Sequence, residues 1–129
     1  MLLDDLAQFL MDAGSTEQIQ KGVIIETPAR MVALRDTGGF PPEYVQGGAS
    51  VLDQPTVQVL IRDTTYPAAM SLARNIYGLL DGAANYVTGG TQKFAFVSAM
   101  QPPFFLQRDD NYRFICAFNL HITRQSTVA

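Results

Sequence analysis

The sequence predicts an α+β domain: a mixed, mostly antiparallel sheet with a long C-terminal β-hairpin and two helices packed on one face. Three observations carry this expectation. Thr56-Val-Gln-Val-Leu-Ile-Arg62 alternates as a half-buried strand, then turns through Asp63–Tyr66 into an amphipathic segment running from Pro67 to Gly82. Leu2–Ala13 repeats its leucines at helical spacing. Thr91–Met100 and Asn111–Thr123 read as two long strands joined by a loop holding Pro102-Pro-Phe-Phe105.

In the first helix Leu2, Leu3, Leu6, Leu10 and Ala13 make the stripe, with Ala7 and Phe9 at its margins. Asp4 and Asp5 suit the positive end of the helix dipole, and Gly14 is a natural terminator. Val23–Ile25 and Met31–Leu34 are short apolar runs split by Thr27-Pro28, read as two strands. The first suits an edge, because Pro28 cannot donate to a ladder. Residues 36–55 then break the pattern. Gly38-Gly39, Pro41-Pro42 and Gly47-Gly48 mark a long Gly/Pro-rich loop, a feature usually functional or disordered in a compact domain. Phe40, Tyr44 and Val45 have no use in a solvated spacer: they either fold back as a lid or meet a partner.

In the strand from Thr56, Val57, Val59 and Ile61 point one way while Gln58, Leu60 and Arg62 point the other. Pro67 fits the first helical position, where its missing N–H costs nothing. Ala69, Leu72, Ala73, Ile76, Leu80 and Ala83 form the stripe to be buried, with Leu79 beside it, and Gly82 stops the helix. After a Gly89-Gly90 turn comes the hairpin. Its last strand places Tyr112, Phe114, Cys116, Phe118, Leu120 and Ile122 on one face and Arg113, Ile115, Ala117, Asn119 and His121 on the other. Residues 125–129 read as a loose tail, and residues 1–129 as one domain.

Composition narrows the function. An apolar fraction of 47% excludes a disordered chain. Charged residues are 16%, against roughly 25% in ordinary soluble domains, which fits either a large core or a surface partly covered by partners. The net charge is −3, with basic residues scattered and unclustered, so tight sequence-specific DNA binding is not expected. A mildly acidic wall past which DNA slides is compatible. The single Cys116 excludes an internal disulfide. The acidic start and the lack of a long apolar run predict neither a secretory signal nor a membrane span.

Reactive chemistry is not expected. Cys116 and His121 are an odd number of residues apart, so on a regular strand they face opposite ways and form no nucleophile–base pair. Asp109-Asp110 sits in a turn, where adjacent carboxylates diverge; an ion pair with Arg108 or Arg113 suits it better. The Gly-Gly pairs match no phosphate-binding loop, and the residues offer no metal-ligand spacing. Arg62, at the end of its strand face, reads either as a snorkelling side chain or as a salt bridge to a neighbouring subunit.

Val57-Gln-Val-Leu-Ile-Arg62, with Tyr66, Ala69 and the helix end Leu79-Leu80-Asp81-Gly82, resembles the central part of tailed-phage tail-terminator (minor capsid, neck) proteins. The segment from Leu106 through Asp109-Asp-Asn-Tyr-Arg113 to Arg124 is similar to their terminal strand, in which an acidic turn and an arginine precede an aromatic stretch like Phe118-Asn119. The likeness covers nearly the whole chain. It departs at Asn111-Tyr112, where related sequences often carry a glycine. The resemblance implies a non-enzymatic virion protein, made in the host cytoplasm, that forms a ring, commonly a hexamer, on the last ring of the tail tube. It further implies that the tail-tube protein, head-connector proteins and copies of itself are the partners. DNA would pass through the channel without specific binding, and neither a cofactor nor a membrane is involved. A closed ring is a head-to-tail assembly, so each subunit needs two different patches. Phe40, Tyr44 and Val45 are expected in one. Phe104, Phe105, Arg108, Asp109 and Arg113 are expected in the other, with Arg62 as a further contact; for Phe104 and Phe105, packing on their own hairpin is the competing reading. Head-side connector or stopper proteins share this pattern and are the alternative. A small cytosolic ligand-binding domain or enzyme, with the Gly-rich loop as lid, is the third reading.

Overall fold

Helix α1, Leu2–Asp12, buries Leu2, Leu3, Leu6 and Leu10, the stripe their spacing dictates. Gly14 ends it at φ +96°: Ser15 N–H donates to Leu10 O at 2.9 Å and Gly14 N–H to Met11 O at 3.1 Å, the paired bonds of a Schellman cap. Helix α2, Tyr66–Leu80, begins one residue before Pro67 because Thr65 Oγ1 accepts from Ala68 N–H at 3.3 Å. It buries Ala69, Leu72, Ala73, Ile76 and Leu80. Gly82, at φ +82°, carries the chain out, so Ala83 lies beyond the helix and is half-buried. The computed structural model describes residues 2–15, 17, 19–22, 25, 28–44, 50–88 and 91–127.

Seven strands are described: β1 Ile19–Lys21, β2 Met31–Tyr44, β3 Ser50–Asp63, β4 Ala84–Thr88, β5 Thr91–Ala99, β6 Phe104–Arg108 and β7 Phe114–Thr127. They form one sheet in the order β1-β2-β3-β7-β5-β4, with β6 also paired to β7. The β1–β2 pair is parallel and every other described pair antiparallel. Both helices pack on one face, over Val32 and Leu34, Val57, Val59 and Ile61, Phe94 and Val97, and Cys116, Phe118, Leu120 and Ile122. The other face carries a second, small cluster of Ala33, Leu60, Ile115 and Ala117, with Phe104 against it. The alternation of β3 and β7 therefore sorts their side chains as expected. Asp12 accepts from Tyr86 Oη at 2.7 Å, fastening α1 to β4; that bond pushes the tyrosine pKa up to about 12.

The C-terminal hairpin is present with an interruption. β5 and β6 lie end to end along one side of β7: Phe96–Ala99 pair with Leu120–Thr123, and Phe104–Arg108 with Phe114–Ala117. Pro102 and Pro103 have no N–H for a ladder, so Met100–Pro103 leave it. Gln101 compensates, its Oε1 accepting Asn119 N–H at 3.2 Å while Met100 N–H donates to Asn119 O at 2.8 Å. The last strand starts at Phe114, because Asp109–Arg113 form the turn.

Residues 36–55, expected as loop, are instead strand wherever they are described. β2 and β3 stay paired from Met31↔Arg62 out to Tyr44↔Val51, and two register shifts, between Asp36 and Gly39 and between Phe40 and Glu43, take up the glycines and prolines. Gly38 and Gly39 have φ of +96° and +139°. Val45, with the rest of 45–49, lies outside the described residues. Likewise 125–127, expected as tail, extend β7, where Thr127 pairs with Ser50. Val23, Ile24 and the Gly89-Gly90 turn also fall outside the described residues, and Ile25 belongs to no strand. Strands β1 and β4 had no clear sequence signal. The outer parts of β2, β3 and β7 thus form a three-stranded extension, from which the helix-side core takes none of its described residues between 35 and 55.

Candidate functional site

Two surfaces at opposite ends of β7 collect most of the residues expected to make contacts. The first is the β6–β7 turn. Asp109 organises it: Oδ1 accepts Asn111 N–H at 3.0 Å and Arg113 N–H at 2.9 Å, while Oδ2 accepts Arg113 Nε at 2.7 Å. Asp109 N–H donates to Arg113 O at 2.9 Å and Tyr112 N–H to Asp109 O at 3.0 Å. Burial works to raise the Asp109 carboxyl, but the bonds from Arg113 and Asn111 outweigh it and hold the group below the usual carboxylate range. Asp109 and Arg113 are therefore a turn clasp, as the ion-pair reading anticipated, and both are only partly exposed.

The clasp forces Tyr112 to φ +60°, the left-handed region that a side chain disfavours, with the ring 73% exposed. Arg108, exposed, covers it: its guanidinium carbon sits 5.3 Å from the Tyr112 ring centre and 4.7 Å from that of Phe114. Phe105 faces the helices, edge-on to Tyr66 at 5.9 Å and tilted against Phe114 at 6.0 Å, and both Phe105 and Tyr66 remain over two-fifths exposed. Phe104 points to the opposite side and packs in the small second cluster. The two phenylalanines, expected together, are separated by the period of the strand.

Arg62 is not at a surface. Its side chain is 3% exposed; Nε donates to Ala29 O at 3.0 Å and Nη2 to Pro28 O at 2.6 Å, and Nη1 lies 3.9 Å from Asp109. The bond an intersubunit reading needs is taken up inside the chain. Next to it Arg30 joins Glu17 at 2.8 Å and Asp63 at 2.7 Å.

The second surface is the extension. Phe40 is half-exposed and meets His121 edge-on at 5.2 Å; His121 Nε2 is 3.1 Å from Gln54 Oε1. Tyr44 lies in β2 opposite Val51. Gly38, Gly39, Phe40, Asp53, Pro55 and Arg124 line a shallow recess of about 390 Å³. Cys116 is buried in the helix-side core, on the face opposite His121, and burial pushes its thiol up. Among the described residues no group of His, Cys, Asp and Glu is placed to hold a metal, and no helix is long and apolar enough to cross a membrane.

Tyr66 and Tyr112, both exposed beside the β6–β7 turn, were not among the residues expected at a contact surface. Tyr112 had a signal, the unusual tyrosine in an acidic turn; Tyr66 had only its place at a helix start, where a side chain escapes the buried stripe.

A family model described as bacteriophage tail terminator protein matches residues 9–126. Among solved structures, a chain from the virion of a native gene transfer agent particle matches 97% of this chain and 92% of its own length, with a TM-score of 0.60 at 11% identity. That likeness is one of fold. No curated protein sequence matches.

Proposed function

This chain belongs to the bacteriophage tail terminator family, a family of phage structural proteins, and we propose that its copies close into a ring, a hexamer, that caps the tail tube. The ring ends tube polymerisation, gives the head its docking face, and leaves a channel through which DNA passes without specific binding. Its partners are copies of itself, the tail-tube protein and head-connector proteins. The observation that carries the reading is the Tyr66, Phe105, Arg108 and Tyr112 group: aromatics and an arginine left at the surface beside a turn held by internal bonds. Such residue types dominate contact energies, and nothing in the fold of one copy needs them exposed. The extension around Phe40 is a second, different surface, as a head-to-tail ring requires. A net charge of −3 with scattered basic residues suits a wall that DNA does not stick to.

Light scattering tests it. A hexamer of the 14.2 kDa chain has a mass of about 85 kDa, and rings should appear by negative stain, either free or on added tail tubes. A protein that stays monomeric at high concentration and caps no tube would sink the proposal. Loss of the gene should give overlong tails. DNA leaking from filled heads would move the role to the head-side connector.

A further inference from the structure

We propose that Tyr112 is a preformed knob that enters the recess between β2 and β3 of a second copy. The inference rests on the ring reading and names the contact that closes it. Tyr112 is the most exposed of the large hydrophobic side chains described, at 73%, and one of only two described non-glycine residues at positive φ. The other, Asn85, is a residue type that adopts this conformation readily; a tyrosine is not. The turn holds it there regardless, through the Asp109 bonds to Asn111 and Arg113, and Arg108 fixes it from behind by donating to Tyr112 O at 3.3 Å. With the backbone of Tyr112 already fixed by the turn, less ordering cost is left to meet on binding. Strain kept at an exposed position points to a function there.

The recess suits it. It is shallow and open, about 390 Å³, a shape on which an exposed ring can lie. Gly38 and Gly39 form a side-chain-free wall, Phe40 offers a half-exposed ring edge, and the Asp53 carboxylate, 3.6 Å from Arg124, gives an acceptor for the tyrosine hydroxyl at the rim. Arg108 arrives with the knob and is opposite in charge to the Asp53 carboxylate, which Arg124 meets at 3.6 Å from within the recess. Knob and recess lie at opposite ends of β7, roughly 30 Å apart at about 3.3 Å per residue, so one copy cannot satisfy both itself. Two distant, unlike surfaces make the contact head-to-tail, and that geometry commits the recess to another copy of this chain.

The test mixes two single variants that leave knob and recess intact, Asp110→Cys beside Tyr112 and Asp36→Cys beside the glycine wall, with a short bis-maleimide; both positions are exposed, while Cys116 is buried and does not compete. A cross-linked dimer that needs both variants is expected. In parallel, Tyr112→Gly should weaken association at least tenfold while leaving the melting temperature of the monomer no lower, since glycine accepts the positive φ. Rings that assemble from the two variants while no cross-link forms between them, or a Tyr112→Gly protein that associates like the original, overturn the knob and leave the ring standing. If Tyr112→Gly forms rings normally but no longer binds tail tubes, the occupant is the tube protein and the proposal also fails. A protein that never associates removes both readings.

Discussion

At Gly39 an added Cβ would sit 2.5 Å from Gln54 O and 2.7 Å from Pro55 Cα, both backbone atoms, and φ is +139°. Neither strand has room to yield. Gly39→Ala is expected to cost about 2–3 kcal/mol in urea unfolding, combining backbone strain with the overlap; a loss below about 0.5 kcal/mol would contradict the close pairing described there. Asp109 allows a second test. Its carboxyl is held below the value near 3.9 of an unfolded chain, so the stability it contributes is full above that value and disappears as pH falls through the lower, folded one. Asp109→Asn keeps an acceptor for the backbone N–H groups but loses the charge facing Arg113. The variant should be about 1–2 kcal/mol less stable near neutral pH, with the gap closing as both proteins are taken well below pH 4. A gap that persists in acid would mean the charge contributes nothing.

Among the elements, β6 sets its two phenylalanines opposite tasks. Phe105→Asp places a charge on an exposed surface and should abolish association with little change in circular dichroism. Phe104→Asp buries a charge against Ala33, Leu60, Ile115 and Ala117 and should destabilise the fold itself by several kcal/mol. If Phe105→Asp unfolds the protein, the ring belongs to the core. The helices, the inner part of β3 and β7 were legible in the sequence because each has one buried face, and burial imposes a period that the residues must obey. The outer part of β2 was not, since Gly38-Gly39 and Pro41-Pro42 signal a loop to any local reading. There the ladder to β3 is supplied by a partner strand, and the register shifts absorb the residues that do not fit. β6 was hidden for the same reason behind Pro102-Pro103. Arg62 could not be placed at all, since its acceptors, Pro28 O and Ala29 O, come from more than thirty residues upstream.

For the whole molecule, the expectation is a surface divided by task. A low share of charge and exposed aromatics at one end of β7 are costly for a lone globule, and they make sense once copies cover them. If the 85 kDa ring of about six subunits is the folded form, the melting temperature should climb with protein concentration, because association stabilises only folded chains. The position of β7 has one more consequence. It joins β3 on one side to β5 and β6 on the other, and it is made after all three. Without residues 114–127 the strands fall into β1-β2-β3, the β4-β5 pair and a lone β6, so the sheet closes only when the last strand is in place.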